Sequence, residues 1–118
     1  MSAPAPHDLC LVYTTWPAHE GEDIIAPALK TLVSEHLIAC ANRLAPSVSY
    51  YEWQGALQEE REVIVILKTT AQKLSALEAR FRTLHPYDEP CFIVLNPDLK
   101  TSAKSFIDWV NTQTMTPQ

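Results

Sequence analysis

Residues 62–70, with the sequence EVIVILKTT, form the most β-prone stretch of the chain. β-Branched and aliphatic side chains pack well on a pleated surface, so we predict a strand here. Alternate side chains of a strand point to opposite faces of its sheet. Apolar residues then fall at the centre of both faces, with one face carrying Val63, Val65 and Leu67 and the other carrying Glu62, Ile64, Ile66 and Lys68.

The same two-sided pattern occurs in two further predicted strands, residues 9–15 (LCLVYTT) and residues 91–96 (CFIVLN). An antiparallel sheet with one face in water alternates apolar and polar residues. These strands do not alternate in that way. Both faces of the sheet should therefore be covered.

One more β segment, a turn and a loop complete the extended part of the chain. We predict extended chain over residues 38–53, with a bulge or a sheet edge at Pro46 because proline cannot donate to a strand ladder. Residues 54–56 (QGA) read as the turn that follows, and residues 16–21, which begin Trp-Pro, read as a loop.

Three segments have helical spacing of their apolar residues: 22–37, 73–85 and 102–113. Pro27 implies that the first helix starts late, near Ile24, or is kinked. Pro86 implies that the second helix stops at His85. The third is predicted to have Ser102 as its cap and to point four residues inward, namely Ala103, Phe106, Ile107 and Val110.

The predicted order is β-α-β-β-α-β followed by a helix, which is the ferredoxin-like split βαβ arrangement of the α+β class. Its two helices cover one sheet face only. The third helix could cover part of the second face, but a large bare apolar patch is rare on a monomer. We therefore predict that a partner subunit covers it.

Length and composition limit the number of domains and the classes of partner that this chain can have. The chain has 118 residues, enough for one domain, and we assign that domain to residues 9–113 with mobile tails at 1–8 and 114–118. Nine basic against fourteen acidic residues give a formal charge of −5, which disfavours nucleic acid and anionic membranes as partners. No apolar run approaches the ~20 residues of a membrane span.

Cysteine usage and motifs point to a cytoplasmic protein without catalytic machinery. The three cysteines are widely spaced and form no CxxC pair, and the N-terminus lacks the features of a signal peptide. The sequence contains no GxSxG, GxxxxGK[ST], GxGxxG or HExxH motif. We therefore predict reduced thiols and a cytoplasmic location, and an unrecognised hydrolase is the least favoured class of function.

Several short segments lie in the order and spacing of a known family: residues 37–42 (LIACAN), 49–55 (SYYEWQG), 67–69 (LKT) and 85–87 (HPY), together with 13–15 (YTT) and 106–110 (FIDWV). From about Leu9 to Trp109 the chain resembles the CutA proteins, the divalent-cation tolerance family. The resemblance implies ferredoxin-like subunits in a homotrimer, a role in tolerance of copper and other divalent metals, no catalysis and no required cofactor. CutA architecture is also similar to that of PII signalling proteins, so the alternative is a PII-like protein that binds a small molecule in the intersubunit cleft.

The family's recurrent polar positions correspond here to seven residues, of which His85 and Cys40 are the candidate metal ligands. The other five are expected in a cleft between subunits: Asn42, Trp53, Glu62, Lys68 and Tyr87. The resemblance also implies a copper site in some bacterial members of the family, built from a first-strand cysteine and two adjacent histidines. This chain has Thr14 and Leu84 at two of those three places. Because metal sites usually need three or four donors, we expect copper to bind weakly.

Each candidate also has a structural interpretation. His85 could interact with the last carbonyls of its helix, and Cys40 could be a small buried hydrophobe. Trp53 could anchor a subunit contact. Glu62 could make a polar contact at a subunit boundary.

Overall fold

The structure, a computed structural model, describes residues 4–18 and 21–115. Its elements follow the predicted order, with a single 3-10 turn over Ala71–Lys73 before the second helix. They are β1 (Leu9–Pro17), α1 (Ile25–Ser34), β2 (Cys40–Trp53), β3 (Ala56–Thr70), α2 (Leu74–Leu84), β4 (Phe92–Leu95) and α3 (Lys104–Thr114).

The four strands form one sheet in the order β2-β3-β1-β4, and every neighbouring pair is antiparallel. The two central strands, β3 and β1, carry the residues that the sequence marked as apolar on both faces. This is the predicted α+β, ferredoxin-like architecture, and it is confirmed.

One face of the sheet, which we call the covered face, packs against α1 and α2. Its core joins Val65 and Leu67 of β3 to Leu32 of α1 and to Leu77 and Phe81 of α2, all with no exposed surface. Burying an aliphatic side chain of this size contributes about 1.5–3 kcal/mol. The covered face is therefore the hydrophobic core of the subunit.

Trp16 belongs to this core, so the predicted loop over residues 16–21 is wrong at its start. β1 continues to Pro17, and Trp16 lies opposite Val63 of β3. The Trp16 indole is fully buried and meets the Phe81 ring edge-on at 5.3 Å between centroids. Its Nε1–H donates to the Thr14 hydroxyl at 3.0 Å, so its one polar group is satisfied inside the core.

The helix ends differ from prediction in small ways. α1 begins at Ile25, which places Pro27 in the first turn and confirms the late start. α3 begins at Lys104 with Ala103 at the cap position and no side-chain cap, so Ser102 is not the cap; its hydroxyl donates to the Asp98 carbonyl instead. The predicted inward position of Phe106 is also wrong, because this ring is 39% exposed.

The packed domain extends slightly beyond residues 9–113. The carbonyls of Pro6 and Asp8 accept hydrogen bonds from the N–H groups of Gln72 and Ala71. At the other end, α3 includes Thr114, which is buried. The outermost residues of the two predicted tails, 1–3 and 116–118, lie outside the described residues.

A long hairpin of β2 and β3 extends past the helices. Its two-residue turn has positive φ at Gln54 (51°) and Gly55 (80°), the geometry of a type I′ hairpin turn. A bulge interrupts β2 between Arg43 and Pro46, where proline predicted a bulge or an edge. Both occur, since β2 is an edge strand.

The second face of the sheet, which we call the open face, is covered at one end only. There Ile107 and Val110 of α3 pack with Leu9. Beyond α3 the apolar surface continues uncovered, with Ile93 and Leu95 52% and 43% exposed. The third helix therefore covers part of the open face, and its centre lies bare in the single subunit.

Candidate functional site

A cleft of about 550 Å³ lies on the open face, at the end where the hairpin projects. The hairpin supplies Tyr51, Trp53 and Glu62, and β1 supplies Thr15. The segment after α2 supplies the remaining lining residues, Pro86, Tyr87, Asp88, Glu89 and Cys91. Three separate parts of the chain therefore converge on it.

The β2 bulge determines which hairpin side chains face this cleft. Before the bulge, even-numbered β2 residues lie opposite even-numbered β3 residues, as in Asn42 with Ile66. After it, odd-numbered residues do so, as in Ser47 with Glu62. Directly opposed residues share a face. The one-residue shift therefore places Tyr51 and Trp53 on the same face as Glu62.

Glu62 forms the buried base of the cleft. Its residue surface is 9% exposed, and it lies opposite Pro17 of β1 and Ser47 of β2. No hydrogen bond or ion pair joins its carboxylate to another side chain in the described ranges 4–18 and 21–115. The carboxylate therefore lines the cleft without a partner among the described side chains.

The negative charge of Glu62 affects the pKa of two neighbouring groups in the cleft. Burial, with the charge of Glu62 adding to it, raises the pKa of the Tyr87 phenol. Burial also raises the pKa of the Cys91 thiol. A hydrogen bond with Thr15 lowers this pKa in part, and the charge of Glu62 raises it further. Both groups are therefore neutral at physiological pH, and the charge of the cleft comes from its carboxylates.

His85 lies beneath the cleft with both ring nitrogens engaged. The Tyr87 backbone N–H donates to Nδ1 at 3.1 Å, so Nε2 carries the proton and donates to the Thr15 carbonyl at 2.8 Å. The ring stacks near Trp16 and Phe81 at centroid distances of 4.5 and 5.1 Å. Burial lowers the pKa of His85, against smaller raising effects from Thr15 and Glu62. The imidazole is therefore a neutral structural element.

This geometry differs from both interpretations made for His85. The side chain does not interact with the last carbonyls of α2; only its backbone N–H does, by donating to the Phe81 carbonyl at 2.9 Å. A metal ion on either ring nitrogen would have to displace a backbone hydrogen bond. Within residues 4–18 and 21–115, no group of three or more His, Cys, Asp or Glu side chains is placed to hold a metal ion.

Three of the predicted site residues lie at the other end of the open face. Cys40 is opposite Lys68 in the sheet register, and Asn42 is opposite Ile66. The Lys68 ammonium lies 5.4 Å from the centre of the Phe106 ring of α3. Six residues of strand separate Lys68 from Glu62, about 20 Å at ~3.4 Å per residue. In one subunit, therefore, Cys40 and His85 are not brought together.

The family model of the CutA1 divalent ion tolerance proteins matches residues 10–113. The chain belongs to the CutA family.

Relatives of the CutA family agree in sequence and in structure. The "Divalent-cation tolerance protein CutA" of Pyrococcus horikoshii is 37% identical over 106 residues, which cover 90% of this chain and 98% of the relative. The crystal structure of CutA1 from Ehrlichia chaffeensis superposes with a TM-score of 0.81 at 32% identity, covering 92% of this chain and 96% of that chain. The PII-like protein CutA from Nostoc sp. PCC 7120, in apo form, gives 0.79 at 32% identity, covering 92% and 99%.

Of the seven CutA positions singled out from sequence, the structure groups four around the cleft and leaves three apart. Trp53, Glu62 and Tyr87 line the cleft, with His85 beneath Tyr87. Sequence reasoning missed Tyr51, although it lies two residues from Trp53 and strand alternation places both on one face. It also missed Asp88 and Glu89, which follow directly after Tyr87 and add negative charge at the cleft.

Within the described residues, no helix is long and apolar enough to cross a membrane.

Proposed function

We propose that this member of the CutA family acts in divalent-cation tolerance, copper included, as a homotrimer that catalyses no reaction. The observation that carries the proposal is the open face of the sheet. Its apolar centre continues past the end of α3, and the hairpin of β2 and β3 projects beyond the subunit core. An apolar surface of this kind calls for a protein partner.

A second copy of this chain is the occupant that fits the open face best. The hairpin carries exposed apolar residues on both of its sides: Val48, Tyr50 and Leu57 on one, Tyr51 and Trp53 on the other. A projecting arm with two apolar sides can pack against a neighbour while its own subunit receives another arm. Closed rotational symmetry allows each subunit to do both.

Sedimentation equilibrium tests the assembly. The trimer should have three times the 13.3 kDa of one chain. A 13.3 kDa species at micromolar concentration would overturn the proposed assembly.

The proposed metal affinity is weak. His85 must give up a backbone hydrogen bond to bind copper, and Thr14 occupies the place of the first-strand cysteine of the copper-binding relatives. Copper prefers imidazole and thiolate donors and loses affinity when fewer of them converge. Any binding through His85 should also fall in mild acid, where protons compete for the imidazole.

A copper titration of the wild type and of His85→Ala, at neutral and mildly acidic pH, tests this part. The expected result is weak binding that His85→Ala reduces and acid weakens. Tight, pH-independent binding that survives His85→Ala would show that the thiols or another site hold the metal.

We propose as a second candidate a PII-like role, in which the cleft binds a small molecule. The unpaired and buried Glu62 carboxylate at the base of a cleft of about 550 Å³ supports it, since ligand pockets commonly span about 300–1,000 Å³. Calorimetry with a panel of small metabolites, run beside the copper titration, separates the two roles. The cytoplasmic location and the absence of nucleic-acid and membrane partners stay predictions.

A further inference from the structure

Glu62 is a buried anion that lacks its cation. The residue is 9% exposed and lines the cleft, and its carboxylate has no ion pair or hydrogen bond with any side chain in the described parts of the chain. All four ion pairs found in those parts lie elsewhere, on exposed surfaces. A carboxylate with little water around it is stabilised by a positive partner, so a cation is the kind of ligand that suits this position.

The walls around Glu62 are aromatic. Tyr51 and Trp53 rise from β2, and Tyr87 faces them from the segment after α2. These three rings are 43%, 62% and 42% exposed in the single subunit, so they are open to a ligand wherever a neighbouring subunit does not cover them. The faces of aromatic rings attract cations, and cages of such rings recognise alkylated ammonium groups.

The sign of the charge excludes anionic ligands. Asp88 and Glu89 join Glu62 in the lining, and no Lys or Arg is among the described lining residues. A cleft lined by one sign of charge concentrates ions of the opposite sign. Phosphates and carboxylates would meet repulsion here.

The size of the cleft separates an organic cation from a bare metal ion. A metal would need several convergent donors, and no group of three His, Cys, Asp or Glu side chains converges in the described residues. About 550 Å³ is room for a small organic molecule. Aromatic walls bind hydrocarbon as well as charge, which a hydrated metal ion does not offer.

We infer that the cleft binds a small organic cation, an amine or a guanidinium, whose charge lies against Glu62 and whose hydrocarbon part packs on Tyr51, Trp53 and Tyr87. The inference rests on the proposed small-molecule role of the cleft and names the ligand class. Asp88 and Glu89 attract the cation from solution.

The test compares the binding of two organic cations with that of an uncharged molecule of the same shape as one of them. Choline and butylguanidinium are titrated into the wild-type protein by calorimetry, with 3,3-dimethyl-1-butanol as the uncharged equivalent of choline and pyrophosphate as an anion. The indole N–H signal of Trp53, assigned with Trp53→Phe, reports binding at the cleft. Both cations should bind and shift this signal, and the neutral alcohol and pyrophosphate should not.

Two variants and one control locate the site. Glu62→Gln keeps the side-chain volume, removes the charge and should weaken butylguanidinium binding by at least about tenfold, the loss expected for a charged hydrogen-bond partner. Trp53→Ala should weaken choline binding by about 2- to 30-fold, the range of cation–π contributions. Glu59→Gln, an exposed acid on the opposite side of β3, should bind both cations as the wild type does.

The outcomes separate the inference from the role on which it rests. Binding of the alcohol or pyrophosphate with a Trp53 shift, without preference for the cations, would keep a small-molecule cleft but overturn the organic-cation assignment. No shift with any probe would overturn both. Unchanged butylguanidinium affinity in Glu62→Gln would overturn the role of the carboxylate. If Glu62→Gln instead dissociates the assembly while the wild type binds no probe, the missing cation belongs to a second copy, and the inference is wrong.

Discussion

The two faces of the sheet differ in whether their buried polar side chains have hydrogen-bond partners. On the covered face each buried polar side chain has a partner: the Thr14 hydroxyl donates to the Val65 carbonyl, the Trp16 indole donates to Thr14, and Thr69 donates to the Leu37 carbonyl. On the open face the Thr70 hydroxyl is buried without a partner, and Glu62 lacks one as well. Both statements concern residues 4–18 and 21–115.

This difference shows which face of the sheet has its hydrogen bonds and apolar contacts completed within one subunit. Buried polar groups in folded proteins are almost always paired, and the covered face obeys that rule within one subunit. The open face does not, and its apolar centre is half-exposed. One face therefore stabilises the subunit, while the other is the face that we propose a second copy covers. The predictions below test this division, beginning with the largest effect.

Ile93→Glu should abolish assembly. Ile93 is 52% exposed on the open face, on the edge strand β4, so glutamate there costs the subunit little. A charge buried in an interface costs several kcal/mol when unpaired, and the trimer would bury three. Sedimentation should show a mass near that of one chain.

Val33→Glu is the matched control for the open face. Val33 is 43% exposed on the surface of α1 and lies outside the sheet. This variant should keep the mass of the wild type. If both variants assemble normally, the open face is not the subunit interface.

Trp16→Ala should cost about 3–5 kcal/mol of unfolding free energy, the range for truncating a buried large aromatic residue. Trp16→Phe should cost less, because it retains much of the packing and loses chiefly the bond to Thr14, worth about 1 kcal/mol. Denaturant unfolding at a fixed subunit concentration measures both. A loss below about 1 kcal/mol for Trp16→Ala would contradict its place in the core.

Trp53→Ala should leave the subunit core intact and weaken assembly, by about 2 kcal/mol if Trp53 is an interface anchor. Its ring is 62% exposed in the single subunit, so its truncation removes little intrasubunit packing. The concentration at which the trimer dissociates measures the effect. An unchanged dissociation and melting temperature would make Trp53 a bystander to assembly.

Acid should weaken the subunit through His85. Burial lowers the pKa of this imidazole in the folded protein, so below the unfolded value of ~6.5 the unfolded chain takes up a proton that the folded chain refuses. Stability is therefore full above that pH and falls as pH decreases toward the folded pKa. Protonation of Nδ1 would also break its bond from the Tyr87 N–H.

Unfolding free energies of the wild type and His85→Gln, compared between pH 5 and pH 7.5, isolate this contribution. The wild type should lose more stability in acid than the variant does. Parallel curves would show that His85 does not cause the acid response.

Sequence patterns predicted the elements well because the strands are strongly apolar and the helices have clear spacing. These predictions failed where a local turn signal disagreed with pairing between strands that are distant in sequence. Trp16 and Pro17 look like the start of a loop, yet the alternation of Cys10, Val12 and Thr14 continues through Trp16 into the core. That continuation is visible in the sequence, although the partner strand that confirms it lies 47 residues away, at Val63.

The candidate site was predicted less completely, since it depends on register. Trp53, Glu62 and Tyr87 were expected with Asn42 and Lys68 in a cleft between subunits, and within one subunit the spacing along β3 keeps Lys68 about 20 Å from Glu62. His85 was recognised, and its two backbone partners were not, because hydrogen bonds to distant carbonyls such as that of Thr15 leave no pattern in the sequence. Whether a neighbouring subunit brings the two groups together stays a prediction.

The bulge between Arg43 and Pro46 absorbs one residue of β2 that has no counterpart in β3. Because the surplus residue is taken up there, the pairing of Ser47 with Glu62 and of Tyr51 with Gln58 continues unbroken to the turn. Deleting Ala45 would remove the surplus and leave Tyr51 and Trp53 opposite the same β3 residues. The length of β2 can therefore change by one residue at this point while the aromatic side chains keep their places at the cleft.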